Sequence, residues 1–222
     1  MVKQPTEGDL RVPLVFCIFA NVKLLLGTTN AGKIVEITGA LDHLPLTFLL
    51  PDSLGIRETP EETGETFAEN ALLKARFYHD RAKMPTLAED SGLIVEALAG
   101  ELGVKTRRWG AGERATDEEW ITHFLKRMEK EENRRARFVC VTTVVDENGN
   151  AHSFEGICDG IITPTVESPY LPGLPIAGCF RPLESDRVYS ALSVEEKNAL
   201  SHRGRSLQKI AEFFRVEKNR AQ

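Results

Sequence analysis

The sequence is short of several features, and each shortage removes a class of protein. Cysteine occurs four times in 222 residues (Cys17, Cys140, Cys158, Cys179), with no pair two or three positions apart. This excludes a zinc-ribbon pair and a thioredoxin-type Cys-x-x-Cys, and it fits reduced thiols in a cytoplasmic setting. Long apolar runs are also missing. The longest early one, VPLVFCIFA at residues 12–20, is too short to span a bilayer. It lacks the basic flank and small-residue cleavage pattern of a secretory signal. There is no basic excess: 28 Lys and Arg stand against 33 Asp and Glu, a net charge of −5. A duplex-binding surface needs the opposite balance. Neither membrane nor nucleic acid is therefore expected as a partner. The Walker A loop G-x-x-x-x-G-K-S/T is absent as well, as are internal repeats and any low-complexity linker.

What remains is material for one α/β domain, with 41% apolar residues. The expected division is an N-terminal extension at residues 1–21, a single domain at 22–216 and a tail at 217–222. VKLLLG at 22–27 reads as a buried strand, and KIVEITGALDHL after it as a helix, which makes the opening half of a βαβ unit. LTFLL at 46–50 fits a second strand. TFAENALLKARFYHDRA is a helix whose Thr66 and Glu69 form a capping box. Residues 86–98 read as a strand broken by a turn at Asp90-Ser91-Gly92. An amphipathic helix is predicted over 116–132, and a hairpin around Glu147–Asn150. The last helical region, Ser193 to Phe214, opens on a second capping box, Ser193 and Glu196, with Gly204 a candidate break.

Four polar clusters carry chemistry. TTNAGK places Thr28, Asn30 and Lys33 where a strand passes into a helix, and the free N–H groups there suit phosphate oxygens. PEETGETFAENALLKA sets carboxylates before a helix that carries Lys74, and Glu62 offers the hard oxygen that Mg²⁺ prefers. AEDSG brings two acids and Ser91 to what reads as a strand end, where Asp90 can hold a metal or orient water. EEKNALSHRGRSL gathers Lys197, Ser201, His202 and Arg203, donors suited to a base carbonyl or a phosphate. Each cluster taken alone also fits a solvated cap or turn. Trp109 and Trp120 read as packing residues, with Trp109 the candidate for a pocket wall.

In this order and spacing the clusters resemble the inosine triphosphate pyrophosphatase family, the XTP/dITP diphosphatases. That family's pattern runs T-G-N-x-x-K, E-x-G-x-T-F-x-E-N-A-x-x-K-A, D-S-G-L, G-x-x-G-x-x-S-x-R, G-F-G-Y-D-P and E-K-N-x-x-S-H-R. The counterparts are TTNAGK, ETGETFAENALLKA, EDSGLIVEALAGELGVKTRRWG and EEKNALSHRG, over roughly residues 22–214. The resemblance implies an elongated mixed central sheet with flanking helices, two lobes around a cleft, and a homodimer. It also implies Mg²⁺-dependent hydrolysis of ITP, dITP and XTP to monophosphate and pyrophosphate. Thr28, Asn30 and Lys33 then match the triphosphate loop, Lys74 the phosphate-binding lysine, and Asp90 the essential aspartate with Ser91 beside it. Glu62, or Glu61 if the alignment slips by one, matches the metal-associated glutamate. Arg108 matches the arginine of S-x-R, and Lys197, Ser201, His202 and Arg203 the base-reading end.

Two departures stand out. Thr29 replaces the loop glycine, and G-F-G-Y-D-P gives way to YLPGLPIAGCFRP. The stacking aromatic then falls near Gly173 or Leu174 and the base-reading aspartate at Ile176 or Ala177. An aliphatic wall of Leu174 and Ile176, or a ring from Tyr170 or Phe180, is the expected replacement. The expectation is a base specificity looser or shifted relative to typical members. The alternatives are a hydrolase of modified pyrimidines or general nucleotide scavenger, and a non-catalytic nucleotide-binding dimer.

Overall fold

Leu24, Leu25 and Leu26 are fully buried in the first strand, and the sheet grows around them. The computed structural model describes residues 22–112 and 114–220. Residues 1–21, including the expected N-terminal extension, lie outside the described residues, as do 113, 221–222 and the side chains of 107–108 and 216–220.

The strands are β1 (Val22–Leu26), β2 (Leu46–Leu49), β3 (Thr86–Val95), β4 (Arg135–Val145), β5 (Ala151–Ile162) and β6 (Phe180–Pro182). They form one mixed sheet in the order β2-β1-β3-β4-β5-β6. β1 runs parallel to β2 and β3, and the remaining pairs are antiparallel. The helices are α1 (Ala31–Ala40), α2 (Phe67–Ala82), α3 (Asp117–Arg127), α4 (Val194–Leu200) and α5 (His202–Arg220). Both expected capping boxes are present, and Thr116 with Glu119 forms a third at the start of α3. α5 continues through the expected tail as far as Arg220.

Two apolar cores divide the long strands between them. Leu87, Val144, Ile37 and Leu207 belong to one, under α1 and α5. Leu93, Trp120, Phe124, Cys158 and Phe180 belong to the other, under α3. Glu89 to Gly92 lie on β3 where one core gives way to the other.

Three expectations change. β3 is continuous through Asp90-Ser91-Gly92, because β4 pairs with it over its whole length, Asp90 opposite Val141 and Gly92 opposite Val139. This pairing overrides the local turn composition, and the acids lie inside the strand rather than at its end. Gly92 serves close approach instead, since a Cβ there would lie 2.4 Å from the Gly103 carbonyl oxygen. The predicted 116–132 helix ends at Met128, because the chain has to turn back into β4. Arg134 closes that end by donating to the Met128 carbonyl at 2.8 Å. The last helical region breaks at Ser201, not Gly204. Ser201 is extended at the end of α4, and its Oγ accepts from the Gly204 N–H at 2.9 Å, capping α5.

α5 lies directly on β5. A Cβ on Gly156 would sit 2.0 Å from the His202 carbonyl oxygen and 2.5 Å from the Ser206 nitrogen. Gly156→Ala should therefore cost about 3 kcal/mol in urea denaturation, the upper range for overpacking, because backbone must move. An unchanged midpoint would show that α5 is free to shift on the sheet.

Candidate active site

β1 pairs with β3 only at Leu25–Thr86 and Leu26–Leu87. Beyond Leu26 the chain leaves the sheet, and this edge of β3 is open from Glu89 to Ser91, until Thr106 Oγ1 accepts from the Leu93 N–H at 3.0 Å. Because strand side chains alternate, Glu89 and Ser91 face one side of the sheet and Asp90 the other. A cleft of about 350 Å³ wraps around this edge and reaches both faces.

The loop Gly27–Asn30 forms one wall. Asn30 caps α1, its Oδ1 accepting from the Lys33 N–H at 3.0 Å, and Thr28 Oγ1 accepts from the Asn30 N–H at 3.2 Å. Among the described residues only Lys83 combines a side chain with positive φ, so Thr29 sits in the loop without backbone strain.

On the Asp90 face, Lys74 Nζ donates to Glu62 Oε1 at 2.8 Å and to Asp90 Oδ1 at 2.9 Å. Asn70, one helical turn earlier, donates to Asp90 Oδ2 at 3.3 Å and exchanges hydrogen bonds with the Gly64 backbone. This fixes the segment that carries Glu62. Burial works against the Lys74 ammonium, but Asp90 and Glu62 outweigh it and hold its pKa above the ordinary lysine value. Burial pushes the Asp90 carboxyl up, with Lys74 opposing. Glu61 is exposed and does not line the cleft, whereas Glu62 does.

On the other face Glu89 is the hub. Its carboxylate receives Lys33 Nζ at 3.0 Å and Arg203 Nε and Nη2 at 2.7 and 2.9 Å. Burial alone would raise its pKa, but Arg203 and Lys33 drive it well below the ordinary glutamate value. Arg203 also donates to Ser91 Oγ at 3.3 Å and to Glu36, which pairs in turn with Lys197 at 3.2 Å. Each nitrogen of the Arg203 guanidinium is thus engaged. Lys33, Lys74, Lys197 and Arg203 are matched by Glu36, Glu62, Glu89 and Asp90, so the cleft's fixed charges cancel.

The far end of the cleft is aromatic and aliphatic. His202 is buried and stacks on Phe138, centroids 4.5 Å apart, and more loosely on Tyr189 at 5.8 Å. Burial and the neighbouring Arg203 drive its pKa well below the ordinary histidine value, so the ring is neutral at pH 7. Leu174 and Ile176 line this end, as the sequence predicts. Tyr170 and Phe180 do not. Phe180 is fully buried in the core and meets Phe138 edge-on at 4.7 Å. Trp120, not Trp109, contributes to the wall, and Trp109 packs behind it. Arg108 ends a short 3-10 turn, and its side chain lies outside the described residues.

The cleft thus brings together Thr28, Asn30, Lys33, Glu62, Lys74, Asp90, Ser91, Lys197, Ser201, His202 and Arg203. Sequence reasoning missed Glu89 and Glu36 as partners of the cations, and it missed the rings of Phe138, Tyr189 and Trp120. Glu89 carried a signal, being an acid inside an otherwise apolar strand. Glu36 carried none, since its partners lie 161 and 167 residues away.

Among the described residues no three His, Cys, Asp or Glu side chains are grouped as a metal cage. Glu62 and Asp90 converge on one cation, the Lys74 ammonium, and they offer hard oxygens. This donor set suits a cation that completes its shell with water and ligand oxygens.

Glu89→Gln should cost about 3–5 kcal/mol at pH 7, because it strands Arg203 and Lys33 without their counter-charge. The depressed carboxyl stabilises the fold fully above the ordinary value of 4.5, and loses its effect as pH falls toward its own lower value. The stability gap between wild type and variant should therefore shrink below about pH 4.5 in urea titrations. A gap constant through acid would show that Glu89 is not ionised in the fold.

Residues 24–213 match the model of the Ham1 family. A protein of Leptospira interrogans named dITP/XTP pyrophosphatase is 36% identical over 198 residues, covering 88% of this chain and 98% of that protein. One of the same name from Thermus thermophilus is 39% identical over 197 residues, covering 87% and 92%. The structure of the Staphylococcus aureus Ham1 protein superposes with a TM-score of 0.75 at 30% identity, covering 88% of this chain and 100% of that one. A HAM1 protein from Coxiella burnetii gives 0.75 at 32%, covering 88% and 99%. The matched span takes in every cleft residue from Gly27 to Arg203, and the chain belongs to the Ham1 family.

Proposed function

We propose that the protein hydrolyses the triphosphates of deaminated purines (ITP, dITP and XTP) to the monophosphate and pyrophosphate, removing them from the nucleotide pool. Lys74 carries this reading. It is a buried ammonium held by two carboxylates in the same cleft as a capped helix N-terminus and Lys33. The names of the relatives support it.

The reaction adds water at the α-phosphorus and breaks the bond from that phosphorus to the bridging oxygen, which leaves with pyrophosphate. Thr28, Asn30 and Lys33 bind phosphate oxygens beside the N-terminus of α1, where unpaired N–H groups favour an anion. Lys74 places a second positive charge on the chain of phosphates. Asp90, anchored by Asn70 and Lys74, orients the attacking water. Glu62 and Asp90 are the residues that would hold a divalent cation such as Mg²⁺, which when bound offsets phosphate charge. Because the cleft's own cations and carboxylates balance, a polyanion needs such an added charge, or needs Lys33 and Lys74 to exchange partners.

At the other end Lys197, Ser201, His202 and Arg203 face the base, with Arg203 acting mainly by fixing Glu89 and Ser91. Ser91 and Arg108 add substrate contacts. A neutral His202 can donate from Nδ1 to a base carbonyl but meets no acceptor on adenine's amino group, and this favours deaminated bases. The family resemblance supports a homodimer in the cytoplasm. The net charge of −5 supports the absence of a nucleic-acid partner. No helix among the described residues is long and apolar enough to cross a membrane.

A panel of ITP, dITP, XTP, GTP, dGTP, ATP, dUTP and dTTP with pyrophosphate detection should show highest kcat/KM for the first three. Equal turnover of ATP would sink the base assignment. Asp90→Asn should abolish release, and so should chelation, reversibly on restoring Mg²⁺. Lys74→Ala should lower kcat/KM by at least about 30-fold, or ~2 kcal/mol, for loss of a charge-assisted phosphate contact. Near-normal turnover by that variant would mean Lys74 does not meet the phosphates.

A further inference from the structure

The wall of the cleft carries a tyrosine beside its charged groups. Tyr78 lies on α2 one helical turn after Lys74, so the two share a face, and both line the cleft. Long helical side chains lean back toward the preceding turn, which carries Tyr78 toward Lys74. Its ring packs with Leu25 and Ile56 and meets Phe77 edge-on at 5.1 Å. It also lies against Gly27, where a Cβ would come within 2.7 Å of Tyr78 Cδ2. Gly27 opens the loop that runs on through Thr28 to Asn30. Tyr78 therefore sits where the helix of Lys74 meets that loop.

Tyr78 is 2% exposed, and a tyrosine buried this far ordinarily finds its hydroxyl a partner. Among the described residues Tyr78 Oη has no hydrogen-bond partner. The fully enclosed side-chain nitrogens and oxygens without a partner are those of Trp120 and His202, so the Tyr78 hydroxyl is not sealed off. The open space that Tyr78 borders is the cleft. Burial pushes its pKa up, and of the charges around it the Lys74 ammonium opposes this most. The phenol thus keeps its proton at neutral pH and has one hydrogen to donate. Of the parts of a nucleoside triphosphate, the phosphate chain is the one that combines negative charge with acceptor oxygens.

Resting on the proposed hydrolysis of nucleoside triphosphates, we propose that Tyr78 is a further substrate-binding residue, whose hydroxyl donates a hydrogen bond to a non-bridging phosphate oxygen beside Lys74. It adds a neutral donor to a set otherwise made of cations, small polar side chains and backbone N–H groups. The contact is to the phosphate chain, so it is the same whatever the base.

Tyr78→Phe keeps the ring against Gly27 and removes the donor. Because the hydroxyl bonds to nothing within the protein, the variant should unfold in urea at the wild-type midpoint. Its kcat/KM for ITP, dITP and XTP should fall by a common factor of at least about ten, since the phosphates are shared and the lost bond is to a charged group. Near-normal turnover, or a loss confined to one base, overturns the proposal. A midpoint lowered together with activity also overturns it, because the hydroxyl would then hold the fold rather than the substrate.

A second measurement needs neither a base nor hydrolysis. Inorganic tripolyphosphate, titrated calorimetrically with Mg²⁺ present, should bind wild type at least about ten-fold more tightly than Tyr78→Phe. Equal affinity, or no binding to wild type, overturns the proposal. If tripolyphosphate shows that preference while wild type releases no pyrophosphate from ITP, the phosphate contact stands and the hydrolytic reading falls. If both proteins hydrolyse ITP alike, the reading stands and the contact falls.

Discussion

The burial of one carboxylate organises this molecule. Glu89 is 2% exposed in the middle of a strand, a position that hydrophobic residues normally hold. An unpaired charge there would not survive folding, so the fold has to deliver cations to it. Lys33 comes from α1 and Arg203 from α5, segments far apart in sequence, and both meet this carboxylate, Lys33 at Oε1 and Arg203 at both oxygens. Cys140 behind them adds a thiol at 3.2 Å from Glu89 Oε2. Through Arg203 the cluster extends to Glu36 and from there to Lys197. The start of α1, the central strand and the start of α5 are therefore set relative to one another by one ionic network.

The open edge of β3 explains how that network becomes a site. Adjacent residues of a strand point to opposite faces, which ordinarily keeps Glu89 and Asp90 from serving one ligand. Where β1 ends, a ligand lying along the exposed edge meets both. One face offers the Lys74, Glu62 and Asp90 cluster and the other the Lys33 and Glu89 cluster, while the rings of Phe138, His202 and Tyr189 form an apolar end. Polar clamps at one end and aromatic walls at the other match the two halves of a nucleotide.

Local features of the fold were legible in the sequence. The capping boxes of α2 and α4, the leucine run of β1 and the hairpin of β4 and β5 are written in short windows, where propensity and spacing act directly. Most cleft residues were legible too, because they lie in dense polar clusters. What escaped was decided at long range. The Asp-Ser-Gly turn signal lost to pairing with β4, and the Gly204 break lost to the serine cap at 201. The pairings of Glu36 and Glu89 depend on contacts that no local window contains. The rings at the apolar end were hidden for the same reason: Trp120 reads as a packing residue, Phe138 and Tyr189 carry no local signal, and only the fold brings all three to the cleft.

In the proposed function these separate side chains surround one polyphosphate at the open strand edge. A crystal structure with Mg²⁺ and a non-hydrolysable inosine triphosphate analogue tests it directly. Phosphate oxygens should lie within hydrogen-bonding distance of Lys33 and Lys74, with the purine between Phe138, His202 and Trp120. A nucleotide bound with its phosphates away from both lysines, or with its base outside that ring-lined end, would contradict it.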